Sequence, residues 1–417
     1  MSKRNLLLLF LLLCPFAGAR SADDVLKLYF KSIGIQQGLS HQMVNAIVKD
    51  PQGFIWIGTA EGLNRYDGTE FHVYRHEPGN PCSLSTSWIN CLYITRDGRL
   101  FIGTEKGVNV YNAQKENFER ISAENDSRNL LGNLRIRCFC EDSKGYLWIG
   151  TLDGLIRFDR RNGLINFYKL NHYDRDKMHN EVRSLCEDSA GRLWIGTFDG
   201  LYCRETESGV FKSVPLKKAP AEGNCLISGL HIQQEDPHTL YIAATGGLRV
   251  FDTETGGERH YHTANSGIAS NDVRDVTRYD AKHVLAATSS GLSVFDIPSG
   301  GFTNFANSIT DPVSLPTQIV RCLFQDDNGL VWLGTNYGVA CCNSHRRPID
   351  VHYINDTDAE GHTTRETITD IAVLPGEIWI GTNNGLMCYS PDMRLKRHFT
   401  TKNSLLPHNN IKRILTD

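Results

Sequence analysis

Residues 54–67 read Phe-Ile-Trp-Ile-Gly-Thr-Ala-Glu-Gly-Leu-Asn-Arg-Tyr-Asp, and residues 146–159 read Tyr-Leu-Trp-Ile-Gly-Thr-Leu-Asp-Gly-Leu-Ile-Arg-Phe-Asp. The same phrase occurs eight times in this chain of 417 residues, at intervals of 44 to 47 residues. Alignment on its Gly-Leu or Gly-Val pair places the repeated threonine, or its substitute, at Thr59, Thr104, Thr151, Thr197, Ala244, Thr288, Thr335 and Thr382. So constant a period indicates one supersecondary unit copied in series, either a propeller blade or a pair of helices.

The composition of each copy decides between these two units. A copy opens with an alternating apolar run such as Val44-Asn-Ala-Ile-Val48, followed by an Asp-x-x-Gly turn such as Asp50 to Gly53. The Trp-Ile-Gly-Thr segment, a short turn, another apolar run and a last segment such as Phe71-His-Val-Tyr74 complete it. Four short alternating segments between turn residues are typical of β-strands. We therefore predict an all-β fold, a β-propeller of four-stranded blades.

The number of blades in the ring has two alternatives at this point. Residues 26–32 resemble a fourth strand and are expected to close the ring by pairing with its last blade. Tyr29 beside the strand at Gly338–Cys341 would indicate seven blades, and beside Gly385–Cys388 it would indicate one eight-bladed ring. The chain stops within the first strand of a ninth copy, so we expect it to be a fragment.

The repeated aromatic position and the glycine two residues later are predicted to be structural. An aromatic ring there fills the wedge between neighbouring sheets, and its burial contributes about 2–3 kcal/mol. The glycine fits a close backbone approach at the narrow end of the wedge. Tryptophan holds the aromatic position in five copies, with Phe101 and Tyr241 as substitutes: Trp56, Trp148, Trp194, Trp332 and Trp379.

Charge and cysteine usage argue against several functional classes. The formal net charge is -3 and no long charge run interrupts the repeats, so nucleic acid is not an expected partner. Cys91, Cys138 and Cys322 recur in register with Ala46, which predicts small apolar fillers rather than disulfides among the 12 cysteines. Cys138-x-Cys140 lacks a second ligand pair at zinc spacing, so we expect no metal and no cofactor.

Residues 1–19 are predicted to be a secretory signal peptide. Lys3 and Arg4 precede an apolar run from Leu6 to Phe16, and Ala17-Gly-Ala19 supplies small residues for cleavage. This run is too short for a comfortable membrane span, and we expect the rest of the chain to be exported.

Candidate ligand-binding residues lie where the copies differ. Trp88 is the tryptophan outside the repeated position, Phe198 and Tyr337 follow the second strand of their copies, and Tyr173 lies in a long loop before the fourth copy. Exposed aromatic rings among polar side chains suit stacking on sugar rings, and packing within their own loops is the alternative.

Four arginines occupy one equivalent position of the predicted innermost strand, where the first two copies have Asn45 and Asn90. Guanidinium groups near the propeller axis could bind an anionic or heavily hydroxylated ligand. The alternative is that each bonds carbonyl groups of the adjacent blade. The four are Arg137, Arg183, Arg274 and Arg321.

The motif Asp-x-x-Gly-x-Leu-Trp-Ile-Gly-Thr-x-x-Gly-Leu-x-x-Phe-Asp resembles the two-component regulator propeller repeat over residues 26–417. The stretch Gly38 to Asp50, with Tyr66-Asp-Gly-Thr-Glu-Phe71, is similar to the first blade of hybrid two-component sensors of Bacteroides-type bacteria. The resemblance implies a seven-bladed propeller over residues 26–345, with residues 346–417 starting a second, truncated one.

In the full-length protein the resemblance further implies a complete second propeller, a β-sandwich, an inner-membrane helix, and histidine kinase, receiver and DNA-binding domains. It implies a homodimer that binds oligosaccharides from complex glycans in the periplasm. The output would be transcription of glycan-utilisation genes.

Three functional classes remain open: a ligand-sensing domain, which we favour, a protein-interaction scaffold, and a propeller glycoside hydrolase or lyase. Sialidase-like boxes place an aspartate two residues before their glycine, whereas Asp142 lies three before Gly145. The plentiful carboxylates recur in register, which indicates turn geometry rather than an acid–base pair. We therefore expect no catalytic residue within this chain. The recurring residues are Asp50, Asp142, Asp153, Asp188 and Asp199.

Overall fold

The computed structural model describes residues 26–170, 180–206, 209–217, 225–233, 235–311, 313–343, 354–357 and 363–415. The predicted signal peptide, residues 1–19, lies outside them. The chain divides into two compact units, Met1–Arg346 and Arg347–Asp417. Within the described residues, helix is confined to a 3-10 turn at Ile35–Gln37 and to α1 at Leu130–Asn133.

The first unit confirms the predicted blades, because each repeat copy forms an antiparallel sheet with its strands in sequence order. The first strand of the chain is β1 (Lys31–Ile33). Blade 1 contains β2 (Val44–Lys49), β3 (Ile55–Thr59), β4 (Gly62–Tyr66) and β5 (Phe71–Tyr74). Blade 2 contains β6 (Ile89–Ile94), β7 (Leu100–Thr104), β8 (Val108–Asn112) and β9 (Asn117–Arg120). Blade 3 contains β10 (Ile136–Glu141), β11 (Leu147–Thr151), β12 (Gly154–Asp159) and β13 (Leu164–Tyr168).

The remaining copies of this unit repeat the pattern. Blade 4 contains β14 (Val182–Glu187), β15 (Leu193–Thr197), β16 (Gly200–Arg204) and β17 (Phe211–Val214). Blade 5 contains β18 (Ile227–Ile232), β19 (Thr239–Ala244), β20 (Gly247–Asp252) and β21 (Glu258–Tyr261). Blade 6 contains β22 (Val273–Arg278), β23 (His283–Thr288), β24 (Gly291–Asp296) and β25 (Phe302–Phe305). The seventh copy supplies three strands, β26 (Val320–Gln325), β27 (Leu330–Thr335) and β28 (Gly338–Asn343).

Strand β1 completes the seventh blade and closes the ring. It pairs antiparallel with β28, with Lys31 opposite Cys341 and Ile33 opposite Val339. The innermost strands contact one another in order around the ring, and β26 of blade 7 contacts β2 of blade 1. The first unit is therefore a seven-bladed β-propeller. The closing strand is shorter than the predicted 26–32 and begins after Tyr29, because residues 26–30 belong to no strand. Phe30 instead donates its N–H to the carbonyl of Val313 at 2.8 Å.

The four repeated tryptophans of this unit are buried, as predicted, whereas Trp379 of the second unit is half-buried. Three of the four are also hydrogen-bonded to their own turn. The indole Nε1 of Trp148 donates to Oδ2 of Asp142 at 2.8 Å, while Oδ1 of the same carboxylate accepts the N–H of Tyr146 at 2.9 Å. Trp56 and Trp194 make the same bond to Asp50 and Asp188. The turn aspartate thus satisfies the one polar group of a large buried ring.

The glycine of each Trp-Ile-Gly-Thr segment faces the first residue of the next innermost strand. A Cβ at Gly58 would come within 2.6 Å of Cγ2 of Ile89, and one at Gly334 within 2.7 Å of Val44. These first residues are β-branched and fully buried, so blades are in contact along the whole inner circle. They are Val44, Ile89, Ile136, Val182, Ile227, Val273 and Val320.

The cysteines behave as the predicted apolar fillers. All eleven within the described residues are free thiols. Cys91, Cys138 and Cys322 each lie opposite the glycine of the neighbouring strand. Burial raises the pKa of Cys322 to about 12, so its thiol is uncharged and unreactive at neutral pH.

The second unit contains a hairpin of β29 (Asn355–Thr357) and β30 (Thr363–Arg365), and one blade of β31 (Ile368–Leu374), β32 (Glu377–Thr382), β33 (Gly385–Tyr389) and β34 (Leu395–Phe399). The segment after this blade lies against Gly381 through Ile411, repeating the contact that joins blades in the ring. That this unit starts a second propeller remains a prediction, because one blade defines no ring.

The glycine contact predicts a sharp difference between two Gly→Ala variants. Gly58→Ala inserts a methyl group against Ile89, which should lower the free energy of unfolding by about 1–3 kcal/mol through overpacking. Gly34→Ala is the control, because its nearest neighbour would be Oε1 of Gln37 at 3.8 Å. Urea melts of both variants test this; equal stabilities would show that the inner contact tolerates a side chain.

Candidate functional site

Every innermost strand of the ring carries a β-bulge at its second residue. In blade 3, Ile136 is opposite Thr151 and Cys138 is opposite Gly150, so Arg137 has no partner in the ladder. A bulged residue turns its side chain away from the regular pleat. The bulged residues of blades 1 to 7 are Asn45, Asn90, Arg137, Arg183, Ser228, Arg274 and Arg321.

All seven bulged side chains line one cavity of about 600 Å³. Because they come from the seven innermost strands, this cavity lies on the ring axis. The rest of its lining precedes an innermost strand or follows a second strand: Trp88, Glu105, Arg135, Leu226 and Asp272. Because neighbouring strands of a blade are antiparallel, these five positions lie on one face of the ring.

The predicted binding residues have three different placements. Trp88 and the arginines Arg137, Arg183, Arg274 and Arg321 line the axial cavity together. Phe198, half-buried, follows β15, and Tyr337, 60% exposed, follows β27, but neither lines this cavity. Tyr173 lies outside the described residues.

Three cavity arginines have carboxylate partners. Nε of Arg137 lies 2.7 Å from Oε1 of Glu181, a buried carboxylate contributed by blade 4. Two guanidinium nitrogens of Arg274 donate to Oδ2 of Asp272 at 3.1 and 2.9 Å. Arg135 forms an ion pair with Glu105.

The other two cavity arginines are poorly compensated. Nη1 of Arg183 lies 3.4 Å from Glu181, a carboxylate already held more closely by Arg137. Arg321 donates to two neutral amides, Oδ1 of Asn45 at 3.0 Å and Oδ1 of Asn336 at 3.3 Å. The contacts described for the bulged arginines are therefore with side chains, and two of them cross to the neighbouring blade.

The arginines also act on one another. Burial lowers the pKa of Arg321, and the positive charges of Arg274 and Arg183 lower it further. Burial likewise lowers the pKa of Arg183, with Arg137 and Arg274 adding to the effect and Glu181 opposing it. Guanidinium groups remain charged at neutral pH, so the cavity carries a positive field.

A hydrogen-bonded chain fixes the aromatic wall of the cavity. Nε1 of Trp88 donates to Oδ1 of Asn90 at 3.0 Å, and Nδ2 of Asn90 donates to Oε1 of Glu105 at 3.0 Å. Glu105 in turn pairs with Arg135. The indole ring, 40% exposed, is thus held in one orientation beside the cationic lining.

Sequence reasoning did not single out several lining residues. Ser228 holds the bulge position in blade 5, and a column-by-column reading of the repeats could have found it. Trp88, Arg135, Leu226 and Asp272 each come one residue before an innermost strand, a second shared column. Two of the carboxylate partners, Glu181 of Arg137 and Glu105 of Arg135, come from neighbouring blades, and no local pattern marks them.

Two classes of feature are absent from the described part of the chain. It contains no group of three or more His, Cys, Asp or Glu side chains that could hold a metal ion. None of its helices has the length and apolar character that crossing a membrane requires.

Fold and site together define a class: a seven-bladed β-propeller with a cationic, ligand-sized cavity on its axis. The two-component regulator propeller family matches five segments of the chain, residues 38–61, 83–106, 129–153, 176–199 and 314–337. The chain therefore carries two-component regulator propeller repeats, as its sequence motif indicates.

Known proteins agree with this assignment. Over 56 residues the chain is 43% identical to histidine kinase P4 of Formosa agariphila, covering 13% of this chain and 4% of that protein. The extracellular domain of a one-component system from B. thetaiotaomicron has the same fold, with 22% identity, a TM-score of 0.64 and coverage of 93% of this chain and 50% of that one. The extracellular domain of a hybrid two-component system from the same organism has 19% identity and a TM-score of 0.62, with coverage of 92% of this chain and 62% of that one.

The propeller fold is also shared with an enzyme. An inactive variant of virginiamycin B lyase from Staphylococcus aureus has 12% identity and a TM-score of 0.58, with coverage of 76% of this chain and 99% of that one. At such identity the likeness concerns the fold alone. The chain spans 50% and 62% of the two B. thetaiotaomicron domains.

The contrast between two tryptophans predicts two different stabilities. Trp194 is buried and hydrogen-bonded to Asp188, so Trp194→Ala should cost about 3–5 kcal/mol through the cavity it leaves. Trp88→Ala should cost less than about 1.5 kcal/mol, because much of the ring faces the axial cavity. Urea melts measure both; equally large losses would make Trp88 a core residue and remove it from the site.

Proposed function

We propose that this propeller is the ligand-sensing part of an exported two-component sensor, and that it binds an oligosaccharide in the axial cavity. The observation that carries the proposal is the convergence of seven bulged side chains and Trp88 on one cavity. Its volume, about 600 Å³, falls within the range of small-molecule sites. Hydroxyl-rich ligands need many hydrogen-bond partners and an apolar ring to stack on, and this lining offers both.

Several parts of the site are ordered before any ligand arrives. Asn45 joins blade 1 to both neighbouring blades. Its Nδ2 donates to the carbonyl of Ile89 in blade 2 at 2.8 Å, and its Oδ1 accepts from Arg321 in blade 7. Trp88 is oriented by Asn90. Preorganised side chains lose little conformational entropy on binding, so more of the contact energy contributes to affinity.

The proposed sensor acts by differential binding. The oligosaccharide would favour one arrangement of this propeller, a downstream propeller and a β-sandwich domain in a homodimer of the full-length protein, and it would shift the output only by that preference. The signal peptide expected at residues 1–19 and the extracellular neighbours support a periplasmic location. Kinase output and control of glycan-utilisation genes belong to the same proposal.

Calorimetric titration of the chain from residue 26, in parallel with the longer exported region, against plant, host and microbial oligosaccharides tests the binding function. Trp88→Ala should weaken binding of any responding oligosaccharide at least tenfold, the loss expected of an aromatic hot spot. Leu164→Ala is the control, since Leu164 is also 40% exposed but lies on the outer strand β13.

Other outcomes would replace this function. Turnover of any oligosaccharide in the panel would make the propeller an enzyme. A copurifying protein together with no saccharide binding would favour the interaction scaffold. Binding that Trp88→Ala leaves unchanged would place the ligand outside the axial cavity.

A further inference from the structure

We infer that the oligosaccharide bound in the axial cavity is acidic, carrying at least two carboxylate or sulfate groups that Arg183 and Arg321 receive. This inference rests on the proposed function and names the ligand class of the same site. Its basis is the charge balance of the cavity and the contrast with other buried arginines of the ring.

The cavity has two more positive charges than negative ones. The lining contains five guanidinium groups and the two carboxylates of Glu105 and Asp272, and Glu181 adds a third carboxylate beneath them. Arg135 and Arg274 use the first two carboxylates, and Arg137 holds Glu181 at 2.7 Å. Arg183 shares that last carboxylate at 3.4 Å, and Arg321 has no carboxylate partner within the described residues.

Two other arginines of the ring show how carboxylates compensate burial. Arg249, almost fully buried on β20, is paired with Glu258 at 2.5 Å. Arg192 pairs with Asp188 at 2.6 Å and with Glu254 at 2.7 Å. A partly buried cation without a counter-charge loses hydration that nothing in the chain replaces. Arg183 and Arg321 lack such close carboxylate pairing at the cavity.

The chemistry of the two groups fits oxyanions. A guanidinium group is planar and matches a carboxylate or sulfate with two parallel hydrogen bonds. The two amides that accept from Arg321 hold it without satisfying its charge. Burial and the positive charges of neighbouring arginines already lower the pKa of both arginines, and oxyanions bound to them would offset those charges.

A charge-matched ligand series tests the inference in the unmodified chain from residue 26. The probes are trigalacturonic acid and its fully methyl-esterified form, and a sulfated chondroitin disaccharide and its desulfated form. We expect each more acidic member to bind at least tenfold more tightly than its partner, and its affinity to fall as salt rises. Inorganic sulfate is a further probe and should compete only weakly.

Variants assign the effect to the two arginines. Arg183→Gln and Arg321→Gln should each weaken binding of the acidic probe at least tenfold and flatten its salt dependence, while Arg321→Lys keeps part of the affinity. Arg259→Gln on the outer strand β21 is the control, because Arg259 is exposed and remote from the lining. Urea melts test whether the variants fold. If a variant does not fold, the ligand series and its salt dependence in the unmodified chain decide whether the inference holds.

Each contrary result has its own meaning. Equal binding of neutral and acidic members overturns the inference but leaves the proposed function in place. Acidic binding that both Gln variants leave unchanged also overturns it. Sulfate that competes as strongly as the saccharides would make this an anion site without saccharide recognition. Binding of none of the oligosaccharides overturns the inference and the proposed function together.

Discussion

The contact between a glycine of one blade and a β-branched residue of the next sets the geometry of the whole ring. At Gly58 and Ile89 there is no room for a side chain on the glycine, so neighbouring sheets approach as closely as backbone allows. Blades 5 and 6 place Ala243 and Ala287 at this position, and both remain fully buried. They pack in the same buried clusters as Val273 and Val320, the first residues of the following innermost strands. Four tryptophans then fill the wider part of their wedges, and the indole N–H groups of Trp56, Trp148 and Trp194 are satisfied by turn aspartates.

The close spacing of the blades brings their innermost strands together around the axial cavity. A bulge at the second residue of each innermost strand sends one side chain per blade to the axis, and seven blades supply seven groups. Since the ladder skips the bulged residue, its identity is free to change without loss of a strand pair. Blade 5 has Ser228 where blade 6 has Arg274, and both sheets keep four strands. The strand pairing of a blade is therefore separable from its chemistry at the axis, which is how one scaffold can hold different ligands.

The repeated blades could be predicted from the sequence, whereas contacts that form only when the ring closes could not. A period near 46 residues and the strand-and-turn signals of each copy were enough to predict the blades, and their shared position in the repeat grouped the four arginines. Two partners of those arginines belong to neighbouring blades and could not be predicted in this way. Glu181 reaches Arg137 from blade 4, and Asn45 reaches Arg321 across the junction of blades 7 and 1, with 276 residues of chain between them. Such contacts depend on the radius of the closed ring, and a local sequence pattern does not determine that radius. Among the aromatic candidates, Trp88 stood out in the sequence because it lies outside the repeated tryptophan position. Phe198 and Tyr337 lie in loops whose conformation the repeat pattern does not predict.

The junction of blades 7 and 1 links ring stability to the site. Beside it the ring is closed without a covalent link, between β28 and β1 within blade 7, and contacts at three radii hold this closure. On the outside β1 pairs with β28, between the blades Tyr66 packs edge-on against Trp332 at 6.3 Å, and at the axis Arg321 donates to Asn45. Arg183 belongs to blade 4, on the opposite side of the ring from this junction. An acidic saccharide that bound both Arg183 and Arg321 would therefore span the ring and oppose its opening, because a ligand that binds the closed form alone stabilises that form by mass action.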